Sequence, residues 1–341
     1  MSRNSADTEL ISLAEGKALW TVSDIFRAGE YTHTLTAADC EELHAAVVSV
    51  VSKRLGPADL RENRFPLGDF GARLHELGKC LQTGRGFCVI KGIPIDRYSR
   101  YESELLVAGI GSQIGRLMAQ NPKGEIVNHV CNTEYFGSER PNSRGFENGN
   151  ALPFHSDPCD IVGLLCLSQG LSGGSSALVS TYAAHNLLAR THPEVLRVLY
   201  RPFYIDRHGE GPANALPYYA TPVFMRYNGR LFSRFNPGYV LSAQRYVETP
   251  RLTTAELNAI EVFASLCEHD SLRLDMQLGP GDLQLVNNNV LVHSRSAFVD
   301  DPVFDNRRRH LLRVWLSTHS AHEIPAPMRD RYHDMQLWQT H

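Results

Sequence analysis

The chain has 341 residues, of which 43% are hydrophobic and 21% are charged, a composition typical of a globular protein with a sizeable core. Its formal net charge of -3 provides neither a basic field for nucleic acid nor a polybasic patch for a membrane surface. The 7 cysteines include no Cys-x-x-Cys pair, which favours a reducing compartment. No stretch resembles a signal peptide or a membrane span, so we expect a cytoplasmic protein with no nucleic-acid or membrane partner.

Helices dominate the predictions for the first part of the chain. Thr36 is a typical N-cap for a helix in TAADCEELHAAVVSVVSKRL. A second amphipathic helix is expected over DFGARLHELGKCLQTG, where Gly84 would end it. The run GFCVIKGIP predicts a buried strand, and SRYESELLVAGIGSQIG predicts a third helix. We therefore expect residues 1–83 to form a helical region.

From about residue 118 the pattern changes to short β-rich runs separated by glycine, proline and asparagine. Asn228-Gly229 between two apolar runs is a strong signal for a β-hairpin. One helix, TTAELNAIEVFASLCEH, interrupts the strands. Strands at hairpin spacing favour a sandwich or jelly roll. We predict one α+β domain with a jelly-roll core over residues 84–320, N-terminal and inserted helices packed outside it, and a C-terminal tail or helix over 321–341.

The segment ALPFHSDPCDIVGLLCL places His155 and Asp157 directly before a predicted buried strand. On a strand, residues i and i+2 point to the same side, so both side chains could bind one ion. His-x-Asp alone is a weak signal, and the best third ligand is His293 in GDLQLVNNNVLVHSR. Two imidazoles and one carboxylate, with open positions for other ligands, form the facial triad of non-heme Fe(II) oxygenases.

A structural role is the alternative for each of these histidines. A histidine in a β-rich core is more often hydrogen-bonded than bound to a metal. The chain has 15 histidines, so other candidates exist, among them His129, His185, His208 and His310.

Arg309 and Arg313 lie four residues apart in RRRHLLRVWLS, on one face of a strand whose apolar neighbours predict burial. A buried arginine is costly unless it is paired, so Arg313 is a candidate for binding a carboxylate bidentately. A structural ion pair with Asp or Glu explains the pattern equally well. Gly173-Gly174 predicts a turn, after which Ser175 or Ser176 could offer a hydroxyl to the same anion.

The segments FHSD, LLCL, GGSS, GDLQLVNNNVLVHSR and RHLLRVWL occur in one order. With this ordered set the chain resembles, over roughly residues 84–318, the taurine-dioxygenase-like (TauD/TfdA-like, clavaminate-synthase-like) family of Fe(II)/2-oxoglutarate oxygenases. The resemblance implies a double-stranded β-helix (jelly-roll) core and the use of Fe(II), 2-oxoglutarate and O2. It also implies oxidation of a C–H bond of a small polar molecule, by hydroxylation, desaturation or cyclisation, with release of succinate and CO2.

The resemblance also implies roles for individual residues. The ligands of Fe(II) would be His155, Asp157 and His293. Arg313 would bind the distal carboxylate of 2-oxoglutarate, and Arg309 occupies the position of a second arginine that assists in some members. Ser176 stands where the family usually has threonine, so the hydroxyl is kept and the methyl group is lost. Halogenation is not expected, because Asp157 fills the position that chloride would need.

Candidate substrate contacts precede the triad, and each also has an ordinary explanation as a turn or core residue: Gln120, Asn128 and Phe154. Another set could bind an anionic substrate but is expected to consist of solvated loop charges: Arg207, His208 and Arg226. The Gly-, Asn- and Ser-rich segment 132–150 is predicted to be a mobile lid.

Two other functions remain compatible with the sequence. A zinc or manganese metallohydrolase could use the same ligands, although it would not need Arg313. A non-catalytic jelly-roll binding protein would keep the fold without turnover. The expected partner is a small-molecule substrate, and a homo-oligomer is compatible with the sequence.

Overall fold

The computed structural model describes residues 11–28, 31–62, 65–132, 148–212, 214–319 and 323–338. The helices in these ranges are α1 (Val22–Ala28), α2 (Ala37–Ser52), α3 (Asp69–Thr83), α4 (Arg100–Ile114), α5 (Thr181–Thr191), α6 (Pro193–Leu199), α7 (Pro237–Ala243), α8 (Thr254–Cys267) and α9 (Ala326–Leu337). None of these helices combines the length and apolar character that crossing a bilayer would require. The predicted lid, 132–150, lies mostly outside the described residues, which omit 133–147.

The strands of the described residues are short and mostly antiparallel. They are β1 (Thr32–Thr34), β2 (Phe87–Lys91), β3 (Arg116–Met118), β4 (Val127–Cys131), β5 (Leu152–His155), β6 (Ile161–Ser168), β7 (Ser172–Gly173), β8 (Ser176–Ser180), β9 (Pro202–Asp206), β10 (Tyr218–Pro222), β11 (Phe224–Tyr227), β12 (Arg230–Ser233), β13 (Leu274–Met276), β14 (Leu283–Asn287), β15 (Leu291–Arg295), β16 (Phe298–Val299) and β17 (His310–Ser317).

Two sheets form the jelly-roll core. The larger sheet has the strand order β1-β2-β14-β6-β17-β3, with β4 also paired to β17, and the smaller has the order β13-β8-β15-β5. Every neighbouring pair in these sheets is antiparallel except β1–β2. Apolar residues of both sheets belong to one buried cluster, as in a sandwich. The predicted α+β class with a double-stranded β-helix core is confirmed.

Local sequence signals account for several of these elements. Thr36 caps α2 as predicted, in a capping box in which its hydroxyl accepts from the backbone N–H of Asp39 and the Asp39 carboxylate accepts from that of Thr36. The predicted hairpin joins β11 to β12 through Asn228-Gly229. Both turn residues have positive φ, 50° and 72°, the conformation for which Asn-Gly is favoured.

The region predicted as N-terminal helices contains one strand as well. Strand β1 pairs in parallel with β2 at the edge of the larger sheet. All its residues are exposed, so it lacks the apolar alternation by which a strand is recognised in a sequence. Helices α3 and α4 contact each other, and α4 also packs against β17 on the outside of the core.

Candidate active site

The predicted metal ligands converge at one end of the jelly roll. His155 ends β5 and His293 lies in the adjacent strand β15, where the two residues are register partners with ring centroids 4.3 Å apart. Asp157 follows His155 by two residues. One ligand atom from each of the three lies within 4.8 Å of the others, and the described residues contain no other such group of His, Cys, Asp or Glu.

The protonation of these groups suits a cation. Burial lowers the pKa of both imidazoles, that of His293 to about 3. His155 Nδ1 lies 2.9 Å from the carbonyl oxygen of Pro153, and donation to it leaves Nε2 with a lone pair. Burial alone would raise the pKa of Asp157, but Arg313, the two neighbouring histidines and the Trp315 hydrogen bond together keep that pKa below its ordinary value. The cluster therefore offers two neutral nitrogens and one carboxylate.

Three neighbours fix the position of Asp157. Its backbone N–H donates to Asn288 Oδ1 at 3.0 Å, and Trp315 Nε1 donates to its carboxylate Oδ2 at 3.1 Å. Arg313 Nη1 lies 3.5 Å from the other carboxylate oxygen, Oδ1. Asn288 and Trp315 were not predicted from the sequence. The signal that could have found Asn288 is the run of three asparagines before β15, all fully buried.

Replacing Trp315 by phenylalanine is expected to weaken Fe(II) binding by about 10–100-fold, the usual cost of losing a group that orients a ligand. The aromatic ring remains, while the N–H that holds Asp157 Oδ2 is removed. Competition with a fluorescent chelator under anaerobic conditions would measure the affinity. Trp20→Phe is the matched control, because it removes a buried indole N–H that donates to the Arg85 carbonyl far from the triad. Equal affinities in the two variants would contradict the orienting role of Trp315.

All residues predicted to bind iron or 2-oxoglutarate line one cavity. The lining consists of Val130, Leu152, His155, Asp157, Leu164, Ser176, His293, Ser294, Arg295, Arg309, Leu311 and Arg313. Every second residue of a β-strand faces the same side of the sheet. Arg313 and Leu311 of β17, and Arg309 directly before it, therefore all face this cavity. The cavity thus combines a metal-binding cluster with buried guanidinium groups.

The two arginines of this cavity have different surroundings. Arg313 is occupied: its Nε donates to Gln120 Oε1 at 2.7 Å, it lies near Asp157, and its guanidinium stacks over Trp315. Arg309 is equally buried, and its guanidinium forms no salt bridge in the described part of the chain, although the charge of Asp300, which accepts from the Arg309 backbone N–H, acts on it. Its Nη1 has no hydrogen-bond partner among those residues, and its guanidinium lies over the Phe298 ring. Arg309 is therefore the better placed of the two to receive an external carboxylate.

Gly174 makes room for Arg309. A Cβ at this position would lie 2.6 Å from Arg309 Nε, and Gly173 and Gly174 both adopt a positive φ. The predicted turn therefore brings the start of β8 close to the arginine. Ser176 follows with its side chain buried at the cavity, whereas the Ser175 hydroxyl donates to Gln277.

Two of the three predicted substrate contacts, Gln120 and Phe154, have side chains that interact within the protein instead. Gln120 is fully buried, and its Nε2 donates to the carbonyls of Ile126 and Arg313 while its Oε1 accepts from Arg313 Nε. Phe154 lies in the hydrophobic core. Asn128 is the register partner of Arg313 on β4, and its buried Oδ1 has no hydrogen-bond partner in the described residues. Asn128 alone retains a polar atom that a bound molecule could use.

Other residues considered from the sequence lie away from the triad. His129 and His310 contact each other, with Nδ1 and Nε2 2.7 Å apart, and His185 contacts Tyr200. These arrangements match the structural alternative for histidine. Arg207 was expected to be a solvated loop charge, and this is wrong, because the residue is 6% exposed and paired with Asp334. A charge on a loop can be buried when another element, here α9, covers it.

Known proteins resemble this chain in sequence and fold. The model of the taurine catabolism dioxygenase TauD, TfdA family matches residues 52–315. FR-33289 synthase of Streptomyces rubellomurinus is 30% identical over 92% of this chain and 93% of its own length. A uridine-5'-phosphate dioxygenase of a Streptomyces species is 28% identical over 60% of this chain and 74% of its own length. Asparagine oxygenase, solved with Fe(II), 2S,3S-3-hydroxyasparagine and succinate, shares the fold, with a TM-score of 0.65 and 19% identity over 85% of this chain and 94% of that one.

Proposed function

Because the chain belongs to the taurine catabolism dioxygenase TauD, TfdA family, we propose that its Fe(II) ligands are His155, Asp157 and His293. The enzyme class predicted from the sequence, an Fe(II)- and 2-oxoglutarate-dependent dioxygenase, is confirmed by this membership. The observation that carries the ligand assignment is the convergence of their donor atoms within 4.8 Å inside a buried cavity. Two neutral imidazoles and one carboxylate fit Fe(II) and leave positions for other ligands.

Bound Fe(II) would supply the oxidising chemistry, in which one oxygen atom of O2 enters succinate as 2-oxoglutarate loses CO2 and the other oxidises the substrate C–H bond. The protein's own residues position the metal ligands and keep water away from the site. Trp315 and Asn288 hold Asp157 from two sides, so the carboxylate has little freedom to swing away. The apolar residues Leu164 and Leu311 border the cavity and limit access of water.

Arg309 is our proposed anchor for the distal carboxylate of 2-oxoglutarate. Its buried Nη1, which has no hydrogen-bond partner in the described residues, would gain a charged acceptor there, and the Ser176 hydroxyl borders the same cavity. Arg313 would instead act beside the metal, because it is already held between Gln120 and Asp157. The assignment reverses the roles that resemblance to the family implied for the two arginines. Gln120 then positions Arg313 rather than contacting the substrate.

A small polar substrate with an anionic group is the class that we propose. Taurine, for which the family is named, carries a sulfonate, and the substrate named for one relative, uridine-5'-phosphate, carries a phosphate. Buried positive charge near the triad agrees with such a substrate, since Arg295 also lines the cavity. The product of hydroxylation, desaturation or cyclisation depends on the substrate's structure.

The two alternative functions explain less of the site. A metallohydrolase or a jelly-roll binding protein would use the triad but would not require Arg309 to be buried with an Nη1 that has no hydrogen-bond partner in the described residues. Burying a guanidinium nitrogen without such a partner lowers the stability of the fold, so its retention favours a function that needs an anion there.

The proposed function can be tested with the purified apoprotein mixed anaerobically with Fe(II) and 2-oxoglutarate. We expect a weak visible charge-transfer band, since chelation of the iron by 2-oxoglutarate requires both the triad and open metal positions. Samples with Zn(II) instead of Fe(II), or with succinate instead of 2-oxoglutarate, serve as controls and should show no band. Bound iron without a band would reject 2-oxoglutarate as the cosubstrate and leave the hydrolase or the binding protein.

A further inference from the structure

The C-terminal helix α9 reaches the segment that carries two of the triad residues. Tyr332 of this helix is 6% exposed, and its hydroxyl donates to the carboxylate of Asp160. The same hydroxyl accepts a hydrogen bond from Arg234 Nη2 at 3.2 Å. Asp160 follows the proposed metal ligand Asp157 by three residues. A residue near the end of the chain therefore contacts the metal-binding segment through one hydroxyl group.

Asp160 joins α9 to the strands around the triad. Its carboxylate is fully buried, and Oδ2 accepts from the backbone N–H groups of Thr318 and His319, at 2.8 and 3.2 Å. Asn289 Nδ2 donates to Oδ1 at 2.9 Å, beside the Tyr332 hydroxyl. Several donors on one buried carboxylate stabilise its charge and fix the position of the residue that bears it.

Arg234 connects the same hydroxyl to the residue that orients Asp157. Its Nη1 donates to the carbonyl oxygen of Asn288 at 2.9 Å. Asn288 in turn accepts from the Asp157 backbone N–H through Oδ1, and its own N–H donates to the Asp160 carbonyl at 2.8 Å. Two routes of hydrogen bonds, through Asp160 and through Arg234, therefore meet at Asn288. The members of this hydrogen-bond network are Tyr332, Asp160, Arg234 and Asn288.

Other contacts of α9 do not depend on the Tyr332 hydroxyl. Arg207 pairs with Asp334 of this helix, and Met328 and Met335 belong to the hydrophobic core. The Tyr332 ring belongs to the same core and would remain there without its hydroxyl. Loss of the hydroxyl should therefore leave α9 in place, so its effect on the metal site can be measured in a folded protein.

We propose that Tyr332 is a positioning residue for Asp157, and that docking of α9 and binding of the metal stabilise each other through the hydrogen-bond network. The inference rests on the proposed function, since it takes Asp157 as a metal ligand. Coupling between two sites is reciprocal, so a contact that raises metal affinity is itself stabilised when the metal binds. The segment from Asp157 to Asp160 takes part in both events, because it carries one ligand and the carboxylate that α9 contacts.

The variant Tyr332→Phe is the first test, with Fe(II) affinity measured by competition with a fluorescent chelator under anaerobic conditions. It removes the hydroxyl and keeps the ring, and we expect Fe(II) binding to weaken at least about fivefold, the lower end of the usual coupling between two sites. Tyr182→Phe is the matched control, because Tyr182 is also 6% exposed and its hydroxyl donates to the Leu231 carbonyl. Both variants should lose some thermal stability, but the control should bind Fe(II) like the wild type.

Hydrogen exchange of the wild-type protein tests the reciprocal effect and needs no variant that might fail to fold. Fe(II) should slow the exchange of backbone amides in α9. Amides in α2, which packs against α4 on the outside of the core, are the internal control and should exchange at the same rate with and without Fe(II). The slowing in α9 should be absent from Asp157→Ala, which lacks the ligand, and reduced in Tyr332→Phe.

Wild-type Fe(II) affinity in Tyr332→Phe would overturn the proposal. Equal loss of affinity in Tyr182→Phe would also overturn it, because lost stability would then account for the effect. Equal slowing of exchange in α9 and α2 would do the same, since it indicates general stabilisation by a bound ligand. A wild-type protein that binds no Fe(II) would reject the proposed metal site, whereas normal binding with unaffected variants would reject only the role of Tyr332.

Discussion

Replacement of Asp157 by alanine is expected to abolish succinate formation and to weaken Fe(II) binding by more than about 100-fold, since losing a group that merely orients a ligand costs 10–100-fold. The carboxylate is the only anionic donor in the cluster formed with His155 and His293. Two neutral imidazoles without it would hold a divalent cation weakly. Fe(II) should also no longer raise the melting temperature, because stabilisation by a ligand depends on its affinity for the folded state. Anaerobic metal titration and thermal unfolding would measure both effects.

Asp39→Ala is a suitable control for the loss of a buried aspartate. Asp39 is buried at the first turn of α2 and pairs with Arg73, far from the triad. This variant should lose some stability through its helix cap, but its Fe(II) affinity should stay at the wild-type value. Wild-type iron binding in Asp157→Ala, with normal folding, would show that the ion is bound elsewhere.

Arg309→Leu should raise the Kd for 2-oxoglutarate by roughly 30- to 4000-fold, since removing one partner of a buried charge pair costs about 2–5 kcal/mol. Fe(II) binding should be unaffected, because Arg309 makes no contact with Asp157 in the described structure, unlike Arg313. The charge-transfer band, titrated with 2-oxoglutarate at saturating Fe(II), would report the affinity directly. Arg307→Leu is the matched control, because that arginine is exposed and its ion pair is with Asp301 at the surface.

The variant Arg313→Leu distinguishes the role of Arg313 from that of Arg309. It removes the charge beside Asp157, so we expect weaker metal binding and slower turnover, with a smaller loss of 2-oxoglutarate affinity than in Arg309→Leu. The reverse outcome, in which Arg313→Leu alone loses 2-oxoglutarate and keeps its iron, would restore the roles implied by the family resemblance.

The three proposed metal ligands could be predicted because they belong to local patterns. His155 and Asp157 are two residues apart at the end of a strand, and the period of a strand places both on one side whatever the rest of the fold does. His293 required only a strand that returns beside them, which the order of the motifs suggested. The jelly roll itself followed from strands at hairpin spacing and from the Asn228-Gly229 turn.

The partners of these residues were not predictable, because they depend on pairings between distant segments. Trp315 meets Asp157 across 158 residues of sequence, and Gln120 meets Arg313 across 193. A glutamine in a loop before the triad has the composition of a substrate contact, and only the packed structure shows that its amide is used internally. The burial of Arg207 likewise depends on α9, which lies more than a hundred residues away.

The residues that face the triad along β17 are all odd-numbered: Arg309 directly before the strand, then Leu311, Arg313 and Trp315. His310 and Leu312 alternate with these residues along the strand and therefore face the other side. Inserting or deleting a single residue within this strand would turn the proposed anchor Arg309, the Arg313 guanidinium and the Trp315 indole N–H outward together. Insertions and deletions in related enzymes should therefore be found in the connection after β16 and be absent from β17. This one strand limits the sequence changes that the enzyme can tolerate.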